Sequence, residues 1–170
     1  METVTLKIVD HIATLVLSRP AAHNALDRTL IEDLQQVLSD VHQEKRVQAV
    51  VLTGAGESFC SGVDLKSFAN VLDLEEMEST QEWIEVWRRL TELCETLLRF
   101  PKPVVAAVDG VAAGAGLAIA LACDLMVISD RAKLMANAAE RGLIGGLTAP
   151  LLSFRFGTAI ASRMLLTGMP

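Results

Sequence analysis

The sequence predicts an α/β fold: a right-handed spiral of strand–strand–helix (ββα) units filling one domain over residues 1–170. Three observations carry that expectation. Residues 104–124 run from a β-branched stretch (Val104, Val105, Val108) through a small-residue turn, Gly110–Gly116, into an apolar run at helical spacing that ends at Cys123-Asp124. Upstream, Val47–Thr53 reads as a buried strand, followed by Gly54-Ala55-Gly56 and a second tight turn at Ser61-Gly62-Val63-Asp64. The chain opens with two further β-rich runs. Strands that alternate with helices through glycine turns belong to layered α/β architectures. No low-complexity segment or linker divides the chain.

The elements are taken in chain order. Val4–Val9 and Ile12–Leu17, joined by Asp10-His11, predict a hairpin, and Arg19-Pro20 ends its second strand. Asp27 is a candidate helix cap, because Leu30, Ile31, Leu34, Val37, Leu38 and Val41 then fall at helical spacing. The strand over 47–53 comes next. Residues 66–82 carry five acids and only Lys66 as a base, so they read as a solvated segment. A second helix is expected over about 81–99, with Trp83, Ile84, Trp87, Leu90, Cys94, Leu97 and Leu98 on one face and Pro101 and Pro103 beyond its end. A strand at 104–108, a helix at 115–122, a strand at 125–129 and helices near 148–166 complete the set. The strands at 47–53 and 104–108 should be neighbours, with the turns 61–64 and 110–116 at the same edge.

Composition narrows the function. A net charge of −6 argues against a nucleic-acid partner, while an anionic small molecule needs only a local basic patch. Two readings of the 51% hydrophobic content stand side by side: a core rich in small residues, or apolar surface covered by another subunit. Cys60, Cys94 and Cys123 are odd in number and widely spaced, and no basic-then-apolar leader opens the chain, so a cytoplasmic location is expected. Metal-ligand spacing is absent, and His11, His23 and His42 do not cluster. The apolar run Val104–Ala122 reads as strand, turn and buried helix, so no membrane partner is expected. Gly54-Ala55-Gly56 follows a strand, but Phe59 occupies the sixth position of a dinucleotide fingerprint, and no Gly-x-Ser-x-Gly elbow exists. Cys60 lies beside a tight turn without a local histidine and reads as a buried small residue.

A strand that turns through glycines into a helix leaves backbone N–H groups directed outward, where the helix dipole favours negative charge. Such a site can hold an oxyanion formed from a thioester carbonyl. Three spaced segments, Arg19-Pro20…Asn24-Ala25-Leu26, Ser61–Leu65 and Gly110–Gly116, occur in one order in this chain. Together they resemble the enoyl-CoA hydratase/isomerase family, the crotonases, over nearly the whole length. The resemblance implies a crotonase-like spiral and an acyl-CoA substrate, with coenzyme A as part of the substrate, no other cofactor and no metal. It implies that the N–H groups of Val63 and Ala115 clamp the thioester oxygen. Ala22, Asn24, Leu26, Ser61, Gly62, Asp64, Leu65 and Gly114 are the implied substrate-binding positions. Arg19 and Arg28 are candidate phosphate partners, with ordinary surface charge as the other reading. Asp64 is expected to hold its own loop together rather than to act in catalysis.

The family's chemistry needs carboxylates beside the thioester. Reading forward from the motifs, those positions fall at Ala118, Ala138 and Gly146, and none is acidic. Glu140 is the nearest acid. A two-residue shift within 136–146 makes it a candidate catalytic base; otherwise it is a surface glutamate paired with Arg141 or Arg131. Family members continue beyond the position of Met169-Pro170 through trimerisation helices, which are absent from this sequence, so a homotrimer or hexamer is implied only for a full-length form. Two functions remain: an acyl-CoA enzyme of the hydratase or isomerase kind, or an inactive acyl-CoA-binding or assembly protein of the same fold.

Overall fold

The structure is a computed structural model that describes residues 2–67 and 76–169. Strand β1 (Val4–Val9) and strand β2 (Ile12–Leu17) form the expected antiparallel hairpin, with Val9 opposite Ile12. Asp10 takes the left-handed conformation at φ 53°, which Asp tolerates better than most residues. Helix α1 (Arg28–Gln43) starts where Asp27 accepts the N–H of Leu30 at 2.8 Å. Its expected apolar face is buried. At its other end Lys102 donates to the carbonyl of Glu44 at 2.8 Å, placing a cation at the negative end of the helix.

From β3 onward the chain repeats one unit three times. β3 (Ala49–Gly54) is followed by β4 (Ser58–Cys60) and α2 (Glu76–Leu98). β5 (Val104–Val108) is followed by β6 (Val111–Ala113) and α3 (Ala115–Ala122). β7 (Leu125–Ile128) is followed by β8 (Lys133–Met135), then α4 (Thr148–Phe156) and α5 (Thr158–Thr167). The first strand of each unit joins a five-stranded sheet ordered β1-β2-β3-β5-β7, and the second joins a three-stranded sheet ordered β4-β6-β8. All pairings after the hairpin are parallel, as crossover connections require. β3 and β5 are direct neighbours, with Val50 opposite Val104.

Three boundaries differ from the sequence reading. α2 begins at Glu76, inside the acidic stretch read as solvated; acids favour the first turns of a helix. The part of that stretch at 68–75 lies outside the described residues. β6 occupies the middle of the supposed glycine turn, because Val111 and Ala112 find partner strands on both sides. β3 starts two residues late, at Ala49, since the Val47 N–H is taken by the Glu44 carbonyl in the preceding turn at 3.1 Å.

α3 is the centre of the molecule. All eight of its residues are buried, and none carries a polar side chain. It rests so closely on β4 that a Cβ at Gly116 would stand 2.3 Å from the Cys60 carbonyl oxygen, so only glycine fits there. Arg155 of α4 reaches back to its C-terminal end, with Nε donating to the Leu121 carbonyl at 3.0 Å. The same guanidinium also bonds the carbonyls of Cys123 and Asp124. The run Val104–Ala122 is thus divided into β5, β6 and α3, and no helix among the described residues is long and apolar enough to cross a membrane.

Candidate active site

The first glycine turn is built from two chain segments. Leu26 forms a parallel bridge with Val63: the Leu26 N–H donates to the Gly62 carbonyl at 2.7 Å, and the Asp64 N–H donates to the Leu26 carbonyl at 3.0 Å. That pattern uses the groups flanking Val63 and leaves the Val63 N–H with no acceptor among the described residues. Asp64 fastens the residues after the turn. Its Oδ1 accepts the N–H of Lys66 at 3.1 Å and of Ser67 at 3.3 Å, and its Oδ2 pairs with Arg19 at 3.0 Å. Arg19 also pairs with Asp27 at 3.0 Å and bonds the Ala25 carbonyl. Asp64 therefore holds the loop, as expected, and Arg19 is committed to joining the two segments.

The second turn delivers the start of α3. Gly114 sits at φ 51°, ψ −121°, a region open to glycine alone, and its N–H donates to the Met135 carbonyl at 2.9 Å. The chain then enters α3 at Ala115, whose N–H belongs to the first helical turn and has no carbonyl to reach within the helix. The two turns touch. A Cβ at Gly62 would lie 3.4 Å from the Ala115 nitrogen and 2.8 Å from the Ala113 carbonyl oxygen, and Gly62 is at φ 97°.

A cavity of about 740 Å³ opens over this junction. Ala22, Ser61, Gly62, Val63, Asp64 and Leu65 line one side, and Gly114 and Ala115 form its floor. Asn24 and Leu26, expected as binding positions, are not at its surface. Both are fully buried behind the wall. Asn24 accepts the Arg19 N–H at 2.9 Å and donates to the carbonyls of Ala55 and Ser58 at 2.9 and 2.7 Å, so it shapes the wall from inside. Arg28 lies elsewhere, paired with Glu82 at 3.0 Å.

Of the three positions where the resemblance places acids, Ala138 and Gly146 face the cavity, whereas Ala118 is buried within α3. Glu140 does not line the cavity. It is exposed in a short 3-10 turn, Ala139–Arg141, and its carboxylate lies against Gly168. It pairs with neither arginine: Arg131 is bound to Asp109, and Arg141 faces the cavity. Cys60 is fully buried, and burial pushes its thiol up to about 12, far from a usable thiolate.

The opposite wall escaped the sequence reading. Trp87 comes from α2, Asn137, Arg141, Leu143 and Ile144 from the segment between β8 and α4, and Thr148 from the start of α4. Trp87 was legible only as one member of an apolar helix face, and the other five share no spacing pattern. His23, also in the lining, contacts the Ser58 hydroxyl through Nδ1 at 3.2 Å.

The sequence and the fold both have counterparts among known proteins. The family model described as enoyl-CoA hydratase/isomerase matches residues 7–170. An (E)-benzylidenesuccinyl-CoA hydratase from Thauera aromatica is 35% identical over 167 residues, covering 97% of this chain and 62% of that protein. The crystal structure of an enoyl-CoA hydratase from Bacillus anthracis matches at TM-score 0.85 and 29% identity, over 98% of this chain and 63% of the other. An enoyl-CoA hydratase/isomerase from Marinobacter aquaeolei gives TM-score 0.90 at 25% identity, over 99% and 64%. The chain therefore spans less than two thirds of the length of these relatives. Agreement in sequence and in the double-sheet spiral leads to one assignment: the chain belongs to the enoyl-CoA hydratase/isomerase family and has the crotonase fold.

Proposed function

We propose that this chain binds an acyl-CoA thioester and stabilises negative charge on its carbonyl oxygen through the N–H groups of Val63 and Ala115. The observation that carries the reading is the contact between the two glycine turns, which brings one uncommitted N–H from each to the same cavity. Two such donors act where charge develops, and in a partly dry site they are worth more than in water. The cavity also suits an anion. Its titratable lining, with histidine neutral, holds Arg19, Lys66 and Arg141 against Asp64, a surplus of two positive charges in a chain of net charge −6.

Polarising the carbonyl is one part of hydration; positioning water and moving a proton are the others. Alanine at 118 and 138 does neither. Among the described residues, Asp64 is the one carboxylate lining the cavity, and it is held by Arg19. This favours the second reading, binding without hydration. The test is to measure crotonyl-CoA binding by calorimetry and crotonyl-CoA hydration on the same sample. Binding with negligible hydration is expected, and Ala138→Glu, at a position that lines the cavity, should raise the hydration rate. General acid–base groups contribute about 10²–10⁴-fold each, so the difference is readable. Robust hydration by the unmodified chain would overturn the reading. Deuterium exchange at the acyl α-carbon should be the same in Glu140→Gln, because Glu140 lies outside the cavity lining.

A further inference from the structure

The cavity holds more positive charge than its first wall uses. Arg19 is closed off by Asp27, Asp64 and the Ala25 carbonyl. Lys66 and Arg141 remain, and neither side chain has an ion-pair partner among the described residues. They sit on different walls. Lys66 follows the Val63 turn, on the wall tied to residues 19–27 through the Leu26 bridge. Arg141 ends the 3-10 turn beyond Ala138, its N–H donating to the Ala138 carbonyl at 3.0 Å, on the wall that carries Leu143 and Ile144.

We infer that the acyl group taken by this cavity carries its own carboxylate, received by Arg141: the ligand class is a short dicarboxylic acyl-CoA. The inference rests on the acyl-CoA reading above and adds the identity of the acyl end. In that reading the thioester carbonyl lies at the Val63 and Ala115 N–H groups, and coenzyme A runs along the wall of residues 19–27. The acyl chain then extends toward the other wall. Ala138 leaves space there, and Arg141 stands three residues on, across one short turn. A guanidinium donates two parallel hydrogen bonds to a carboxylate, a match in shape as well as charge. Asn137 offers a further amide donor beside it. Arg141 is exposed, so with an uncharged acyl chain its fork faces water instead of a fixed anion.

The experiment uses the 170-residue chain and three ligands: succinyl-CoA, butyryl-CoA and free CoA, titrated calorimetrically at about 0.1 M salt, where distant charges are screened. Succinyl and butyryl groups have the same number of carbons and differ in the terminal charge. Succinyl-CoA should bind about tenfold tighter than butyryl-CoA, the scale of one charge-assisted hydrogen bond. Arg141→Gln should erase that preference, the ratio of the two affinities falling to about one, and Arg141→Lys should restore part of it. Equal binding of the two thioesters by the unmodified chain overturns the inference and leaves the acyl-CoA reading intact. Uniform weakening of all three ligands in Arg141→Gln also overturns it, because the guanidinium would then serve a phosphate of coenzyme A. Binding of no thioester removes the acyl-CoA reading and this inference with it.

Discussion

Asn24 illustrates how much a single residue can carry. It is fully buried, sits in the left-handed region at φ 55°, and uses both ends of its amide on three backbone groups. Asparagine is the side chain best suited to all three demands, because it tolerates that conformation and both donates and accepts. Asn24→Ala leaves the Ala55 and Ser58 carbonyls without this donor and should cost about 2–4 kcal/mol. Urea denaturation followed by circular dichroism measures it. A cost under about 0.5 kcal/mol would mean that water replaces the amide. The sequence marks Asn24 as part of a motif and implies a binding position; the structure places it behind the cavity wall, which it supports from inside.

Among the elements, the turn between β5 and β6 is tied to the turn between β7 and β8. Asp109 accepts from Arg131 Nε at 2.6 Å and from the Ser129 hydroxyl at 2.7 Å. These bonds, Arg131 first, hold the Asp109 carboxyl well below its ordinary value of 3.8. A depressed folded value means that the contribution is present above the unfolded value and is lost as pH falls through the folded one. The stability gap between the unmodified chain and Asp109→Asn should therefore be open at neutral pH and close as pH drops below 3.8. Denaturant midpoints at about pH 7 and about pH 3 check this; the pair is exposed, so the gap should be small. A gap that widens in acid would contradict the assignment. At this scale the sequence was most legible where the signal was local. α1 was readable because Asp27 and six apolar positions agree, and β5 because its β-branched run Val104, Val105 and Val108 leads into a glycine turn. β4, β6 and β8 have three residues each, too few for a period, and they exist because neighbouring repeats supply their partners. The site divides the same way. The glycine turns announce themselves, whereas the wall with Trp87 and Arg141 assembles from positions more than fifty residues apart.

For the molecule as a whole, the informative surface is the outer edge of the large sheet. β7 is the last strand in that sheet, and Leu125, Val127 and Ile128 are each more than half exposed. An apolar strand with a free edge promotes association. The chain should sediment with concentration-dependent self-association, and Val127→Lys should reduce it. A concentration-independent monomer would count against this. The apolar composition thus has two destinations: α3 is a core rich in small residues, and β7 carries exposed apolar side chains.

The bridge between Leu26 and Val63 has a consequence for motion. The amides of Leu26 and Asp64 are each locked to the other segment, so neither can meet water until both segments part. In hydrogen–deuterium exchange these two amides should therefore open as one cooperative unit, at a common rate. The Val63 amide lies between them and is outside that lock. It should exchange early, even while its neighbours stay protected. Saturating thioester should slow Val63 and Ala115 far more than Leu26. The two amides assigned to the oxygen would then announce their ligand by the time they keep their protons.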